Sequence, residues 1–199
     1  MRHNPIQYQS PGREKIMGMT GVPDKKPSSR FSLSRHTALI LAPFVWLVGI
    51  SFVHGVVPWA ISLMTPRYGW AGGRPSIGNL LGVVPIIAGV ACLIWVFALS
   101  FTYFAEIPDR IELDWKPKLL MMRGPYVFSR NPMYVAELAL WFGWAIFFGS
   151  IAVLIGSIIL CGAIKLIVQR EERDLKSQFD SSYSAYMAAT PRWFGKARR

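Results

Sequence analysis

Cysteine and histidine are nearly absent from this 199-residue chain, which has two of the first and three of the second. Cys92 and Cys161 both lie inside apolar runs with no partner at ligand spacing, so neither a disulfide framework nor a zinc site organises the fold. They read as small buried apolar residues. His3, His36 and His54 are scattered and form no cluster, which leaves no metal-ligand set. Acidic residues are scarce too, 11 against 22 Lys and Arg, for a formal net charge of +11. Spread over a polar surface, such charge would suit nucleic acid. Here it borders apolar runs, as it does around membrane spans, so nucleic acid is set aside as a partner. Hydrophobicity is what the chain has in plenty. Apolar residues make up 52% of it and mean hydropathy is +0.32, values of a small polytopic membrane protein.

Residues 1–35 are rich in Pro, Ser, Lys and Arg, show no apolar periodicity, and read as a disordered basic cytosolic tail. A membrane-embedded domain is expected over 36–194, followed by a short basic tail, 195–199. Its spans are Thr37–Met64, Ile77–Ala105, Met133–Phe148 and Ile151–Val168, the last two joined only by Gly149-Ser150 in a tight hairpin. Pro43 and Pro58 should bend the first span, end it early, or split it into two crossings. Gly78, Gly82 and Gly89 share a face of the second, where Pro85 is a further kink point. Beyond Val168 the helix should continue outside the membrane over Gln169–Ala188. Val168, Leu175, Phe179, Tyr183 and Tyr186 give that extension one apolar face, fit to lie on the interface or fold over the bundle mouth. The fold class is therefore all-α, a polytopic bundle of four transmembrane helices with a C-terminal amphipathic helix. Four crossings put both termini and the charged Glu106–Arg130 segment on one side, together with every basic residue except Arg67 and Arg74. That bias places both termini in the cytosol.

Within this frame one polar stretch stands out, Arg123-Gly124-Pro125-Tyr126-Val127-Phe128-Ser129-Arg130-Asn131-Pro132-Met133-Tyr134. Asn131 is a good helix cap and Pro132 suits the first helical position. The four free N–H groups of that helix would face back into the loop as an anion site beside Arg130. Glu137, about one turn into the third span, is costly at that depth unless it faces the interior or pairs with Arg130 or Arg123. Glu171 and Glu172 follow the fourth span and straddle its apolar stripe. They form either a solvated charged face or the wall of a site opposite Arg130-Asn131. Tyr126, Tyr134 and Trp141 can offer π faces to a cation. From the residues alone, S-adenosylmethionine, NADPH and a phospholipid headgroup all suit such a pocket.

The run Gly124-Pro125-Tyr126, Arg130-Asn131-Pro132-Met133-Tyr134, Gly143, Gly149-Ser150, Glu171-Glu172-Arg173-Asp174-Leu175, Phe179, Tyr183, Tyr186 and Pro191-Arg192 resembles the isoprenylcysteine carboxyl methyltransferase and phospholipid methyltransferase superfamily over roughly residues 118–194. The resemblance implies an integral-membrane, S-adenosylmethionine-dependent methyltransferase acting on a lipid or lipid-like acceptor, with no obligate protein partner and no metal. By motif, Tyr126, Asn131, Pro132, Met133 and Tyr134 would contact the cofactor, Leu120 and Met121 would line it, and Glu171, supported by Glu172, would hold a polar group. Arg130 and Glu137 are the candidate catalytic residues. Asn131 stands where the superfamily often has His; Asn occurs there in the phospholipid-methylating branch. Ala136 replaces a usual glycine and adds a methyl group to the channel. Two other readings share these features. One is an NADPH-dependent reductase of the sterol-reductase type, whose C-terminal end is similar; the other is a non-catalytic lipid-binding membrane protein.

Overall fold

A computed structural model describes residues 32–104, 110–112 and 120–195. Residues 1–31 and 196–199 of the two basic tails, and most of the charged segment between Glu106 and Lys118, lie outside them. The last residues of the N-terminal tail form strand β1 (Ser32–Ser34). The first span then runs as one helical rod, α1 (Arg35–Ser51), a π-helical turn (Phe52–Val56) and α2 (Val57–Ser62). Pro43 sits inside α1 without ending it. Pro58 acts differently. It has no N–H for the His54 carbonyl one turn back, and the rod widens into the π turn just before it, with Val57 N–H reaching Phe52 O. Trp144 Nε1 donates to the freed His54 carbonyl at 2.6 Å. The rod therefore stays whole through Pro58, because another helix satisfies the group that the proline leaves unpaired.

After a turn closed by β2 (Trp70–Ala71) and β3 (Arg74–Pro75), Ser76 caps the short α3 (Ile77–Leu80) and α4 (Val83–Phe104) follows. The break falls at Leu81-Gly82. Pro85 cannot donate to the Leu81 carbonyl, which accepts from Val84 N–H at 3.3 Å instead. Strand β4 (Arg110–Glu112) pairs antiparallel with β1. Next come a 3₁₀ turn (Gly124–Val127), α5 (Pro132–Phe148) and α6 (Ile151–Ala189).

Pro43–Ser62, Ile77–Thr102 and Ile151–Ala189 are long and apolar enough to cross a membrane. Helix α5 is shorter, 17 residues, or about 26 Å at the usual rise. It is nevertheless the centre of the bundle. Its Ala136 and Leu140 pack with Leu93 of α4, and its Trp141 and Ala145 pack with Val153 of α6. The outward faces of the first rod, α4 and α6 expose Phe44, Leu47, Ile87, Ile94, Ile155 and Ile159, as a lipid-facing surface does. Cys161 is exposed on that surface, contrary to the expectation that both cysteines are buried; Cys92 is half-buried beside the Pro132 carbonyl. The apolar run around Cys161 faces outward because the interior of a membrane bundle is no more apolar than its rim.

Close approach of α4 and α5 depends on two of the three predicted glycines. A Cβ on Gly82 would run into the Gly143 carbonyl and the Phe147 backbone, and one on Gly89 into the Ala136 carbonyl. Gly78 meets only the Ser76 hydroxyl and takes no part in the helix contact. Gly82→Ala is expected to destabilise the protein by about 1–3 kcal/mol, since backbone must move to admit the methyl group. Gly162→Ala, where the added carbon meets nothing within 4 Å, is the control and should not lower the melting temperature in detergent. Equal melting of both variants would remove this role from Gly82.

The α5–α6 hairpin is as tight as expected. Gly149 ends α5 in the left-handed conformation at φ +57°, and the Ser150 hydroxyl accepts from Val153 N–H to start α6. Buried Asn79 ties the hairpin to the loop before α3 by donating to the Tyr68 and Ile146 carbonyls. Helix α6 has 39 residues with a kink at Asp180; its straight part before the kink is about 44 Å long at the usual rise, enough to cross a bilayer and project beyond it. At Asp180 the backbone leaves helical geometry (φ +36°), and the last turns fold back over the mouth of the bundle. This is one of the two placements expected of the amphipathic extension.

Candidate functional site

The mouth opposite the α5–α6 hairpin is built where α5 begins. Pro132 takes the first helical position, as expected. Asn131 takes the cap position but not the capping role. Its side chain makes no cap hydrogen bond, and its Nδ2 donates to the Arg192 carbonyl at 3.0 Å. The reason is local. The Ser129 hydroxyl accepts the Asn131 backbone N–H at 3.0 Å and itself donates to the same Arg192 carbonyl. With Arg130 N–H bonded to the Pro191 carbonyl at 3.0 Å, the C-terminal segment is stitched across the start of α5. The expected set of four free N–H groups shrinks accordingly. Pro132 has none and Val135 N–H goes to the Asn131 carbonyl, which leaves those of Met133 and Tyr134.

Nine of the eleven candidate residues line one cavity: Leu120, Met121, Tyr126, Arg130, Asn131, Pro132, Met133, Tyr134 and Glu171. Leu175, Tyr183 and Tyr186 of α6 complete its wall. The cavity measures about 190 Å³, below the ~300–1,000 Å³ common for drug-sized ligands. The cavity is open on one side, so a larger guest can extend out of it. The folded-back end of α6 is held by Tyr183 and Tyr186, which pack on Leu120, and by the Tyr186 hydroxyl, which donates to the Tyr126 carbonyl at 2.7 Å. Burial, and next the Glu171 charge, push the Tyr126 hydroxyl up to about 12, so it keeps its proton at neutral pH.

The two adjacent glutamates divide their work. Neighbouring residues on a helix point about 100° apart, so the pair cannot share one target. Exposed Glu171 faces the cavity and accepts from the Tyr134 hydroxyl at 2.8 Å. Glu172 turns inward, only 6% exposed, and lies outside the cavity lining. Its carboxylate receives Arg192 through both Nε (3.1 Å) and Nη2 and stands 3.3 Å from Arg130 Nη2. The hydrogen bond from Arg192 to this carboxylate is the main reason the Arg192 pKa is raised. Arg130 is equally enclosed at 8% exposure. Only Nη2 is engaged; Nε and Nη1 are buried with no hydrogen-bond partner among the described residues. A buried guanidinium with two open donors is costly unless an anion completes it.

Glu137 lies deeper and outside the cavity lining. It pairs with neither Arg130 nor Arg123; the nearest ring nitrogen is His54 Nε2, 3.9 Å from Oε1. Trp141, expected to face a cation, instead donates its indole N–H to His54 Nδ1 at 3.0 Å. His54 is thus a polar centre that sequence reasoning missed. The signal present was Pro58 four residues on, which marks the His54 carbonyl as one needing an outside donor. Groups of His, Cys, Asp and Glu able to hold a metal do not occur among the described residues.

A helix bundle with lipid-facing flanks, and a largely apolar cavity with a few polar groups opening where its central helix begins, defines an integral membrane protein with a cavity at one mouth. The family model described as phospholipid methyltransferase matches residues 78–182, more than half of the chain, and the protein belongs to that family. The match starts at α3, so the first rod with its His54 stands outside it. No curated protein and no solved structure matches the chain.

Proposed function

We propose that this protein is an S-adenosylmethionine-dependent methyltransferase acting on a lipid or lipid-like acceptor, isoprenoid or phospholipid, at the cytosolic face, with both termini in the cytosol. The observation that carries the reading is Arg130, whose buried Nε and Nη1 have no partner and whose side chain lines a cavity in a phospholipid methyltransferase chain. The donor set suits the zwitterionic, sulfonium-bearing cofactor. Arg130 and the N–H groups at the start of α5 would hold its carboxylate. Glu171 would hold its ammonium or a ribose hydroxyl, and Tyr126 and Tyr134 would flank the cationic centre with π faces. Leu120, Met121, Pro132 and Met133 would close the apolar sides. When bound, the cofactor would supply an activated methyl group for transfer to the acceptor.

The remaining work is alignment and exclusion of water, which the folded-back end of α6 provides. A carboxylate or thiolate acceptor needs no base. An amine must first lose a proton, and Glu137 is the carboxylate at that depth. Orientation rests on charge, since Arg67 and Arg74 are the only basic residues at the hairpin end among the described residues.

The test is incubation of the detergent-purified protein with labelled S-adenosylmethionine and total lipid extract. Label is expected in the lipid fraction. Binding of NADPH without binding of S-adenosylmethionine would overturn the reading in favour of a reductase.

A further inference from the structure

His54 is buried to 7% exposure in the π turn of the first rod, and α5 holds it from two directions. Trp144 Nε1 donates to its carbonyl at 2.6 Å and Trp141 Nε1 donates to its Nδ1 at 3.0 Å. An indole nitrogen only donates, so Nδ1 must present its lone pair and the imidazole proton sits on Nε2. That N–H stands 3.9 Å from Glu137 Oε1, about 1 Å beyond a direct hydrogen bond. Glu137 follows Tyr134 by three residues, about 4.5 Å further along α5, on a neighbouring face. Two indoles thus fix the tautomer and place of one imidazole, whose remaining donor faces the carboxylate nearest the floor of the site. The imidazole cannot relay a proton while Nδ1 accepts from Trp141. Its available service is to donate.

We propose that His54 is a positioning residue for Glu137, orienting its carboxylate to receive the proton that an ammonium acceptor sheds before its nitrogen attacks the methyl group. This rests on the methyltransferase reading above. The bond broken is N–H of the ammonium, its electron pair stays on nitrogen, and the proton ends on a Glu137 oxygen.

The test uses full-length protein in mixed micelles with phosphatidylethanolamine and S-adenosylmethionine. His54→Asn keeps an acceptor oxygen for Trp141 and lacks the distal N–H. It is expected to lower kcat about 10-fold, a part of the 10²–10⁴ that a general base contributes, with cofactor affinity and melting temperature unchanged. His54→Gln, which restores a distal N–H, should recover part of that loss. His54→Asn combined with Glu137→Gln should be no slower than Glu137→Gln alone, the signature of two residues acting as a unit. Wild-type kcat in His54→Asn, or additive losses in the double variant, would overturn the assignment while leaving the methyltransferase reading intact. Failure of the wild-type protein to bind the cofactor would overturn both.

Discussion

Glu171→Ala is expected to weaken S-adenosylmethionine binding on the order of 10- to 100-fold while the protein stays folded. Hydrogen bonds to charged groups contribute about 1.5–3 kcal/mol each, which sets that range. The fold should survive because Glu171 is exposed. Its removal strands no buried charge, and the half-buried Tyr134 hydroxyl, which now donates to it at 2.8 Å, can turn to water. Titration of the detergent-purified variant with labelled cofactor, beside a melting curve, checks both halves. Wild-type affinity in this variant would remove Glu171 from the site.

The contrast between Glu171 and its neighbour shows where sequence reading reaches its limit. The apolar stripe Val168, Leu175, Phe179, Tyr183 and Tyr186 is a local, periodic signal, and the structure buries or half-buries each of these residues. The hairpin at Gly149-Ser150 is local too, since its cap chemistry lies within two residues. Because three helices long enough to cross a membrane and the shorter α5 are legible, the meeting of Arg130 with the glutamate pair follows from the expected count of crossings. Which glutamate faces the cavity does not follow. On the bare helix both straddle the stripe, and the choice is made by Arg192, 20 residues away, reaching Glu172 from a segment with no periodicity. His54 escaped for the same reason. Its partners Trp141 and Trp144 lie nearly ninety residues on, on a helix whose own pattern announces only that it is apolar. Asn131 misled because a cap residue is recognised by type, whereas its side chain here answers to the Arg192 carbonyl. The kink at Asp180 has neither Gly nor Pro to announce it. It exists because Tyr183 and Tyr186 gain burial against Leu120 by turning back over the mouth.

Glu172→Ala should behave in the opposite way to Glu171→Ala and lower stability by about 3–5 kcal/mol, the usual cost of removing one partner from a buried ion pair. It would leave Arg130, already short of partners at Nε and Nη1, without its carboxylate. It would also release Arg192, whose carbonyl is the anchor for Ser129 and Asn131. The C-terminal stitch and the start of α5 would loosen together, so thermal unfolding in detergent should show a large drop. Replacing both charges by apolar residues, Arg130→Met with Glu172→Met, leaves no buried guanidinium or carboxylate in this pair and should be more stable than Glu172→Ala alone. Cofactor binding should nevertheless be lost in the double variant, because the unpartnered nitrogens of Arg130 are gone. A gain of stability together with loss of binding would separate the ion pair of Arg130 with Glu172, which serves the fold, from its proposed contact with the ligand. If the double variant bound cofactor like the wild-type protein, the open nitrogens of Arg130 would have no part in the site.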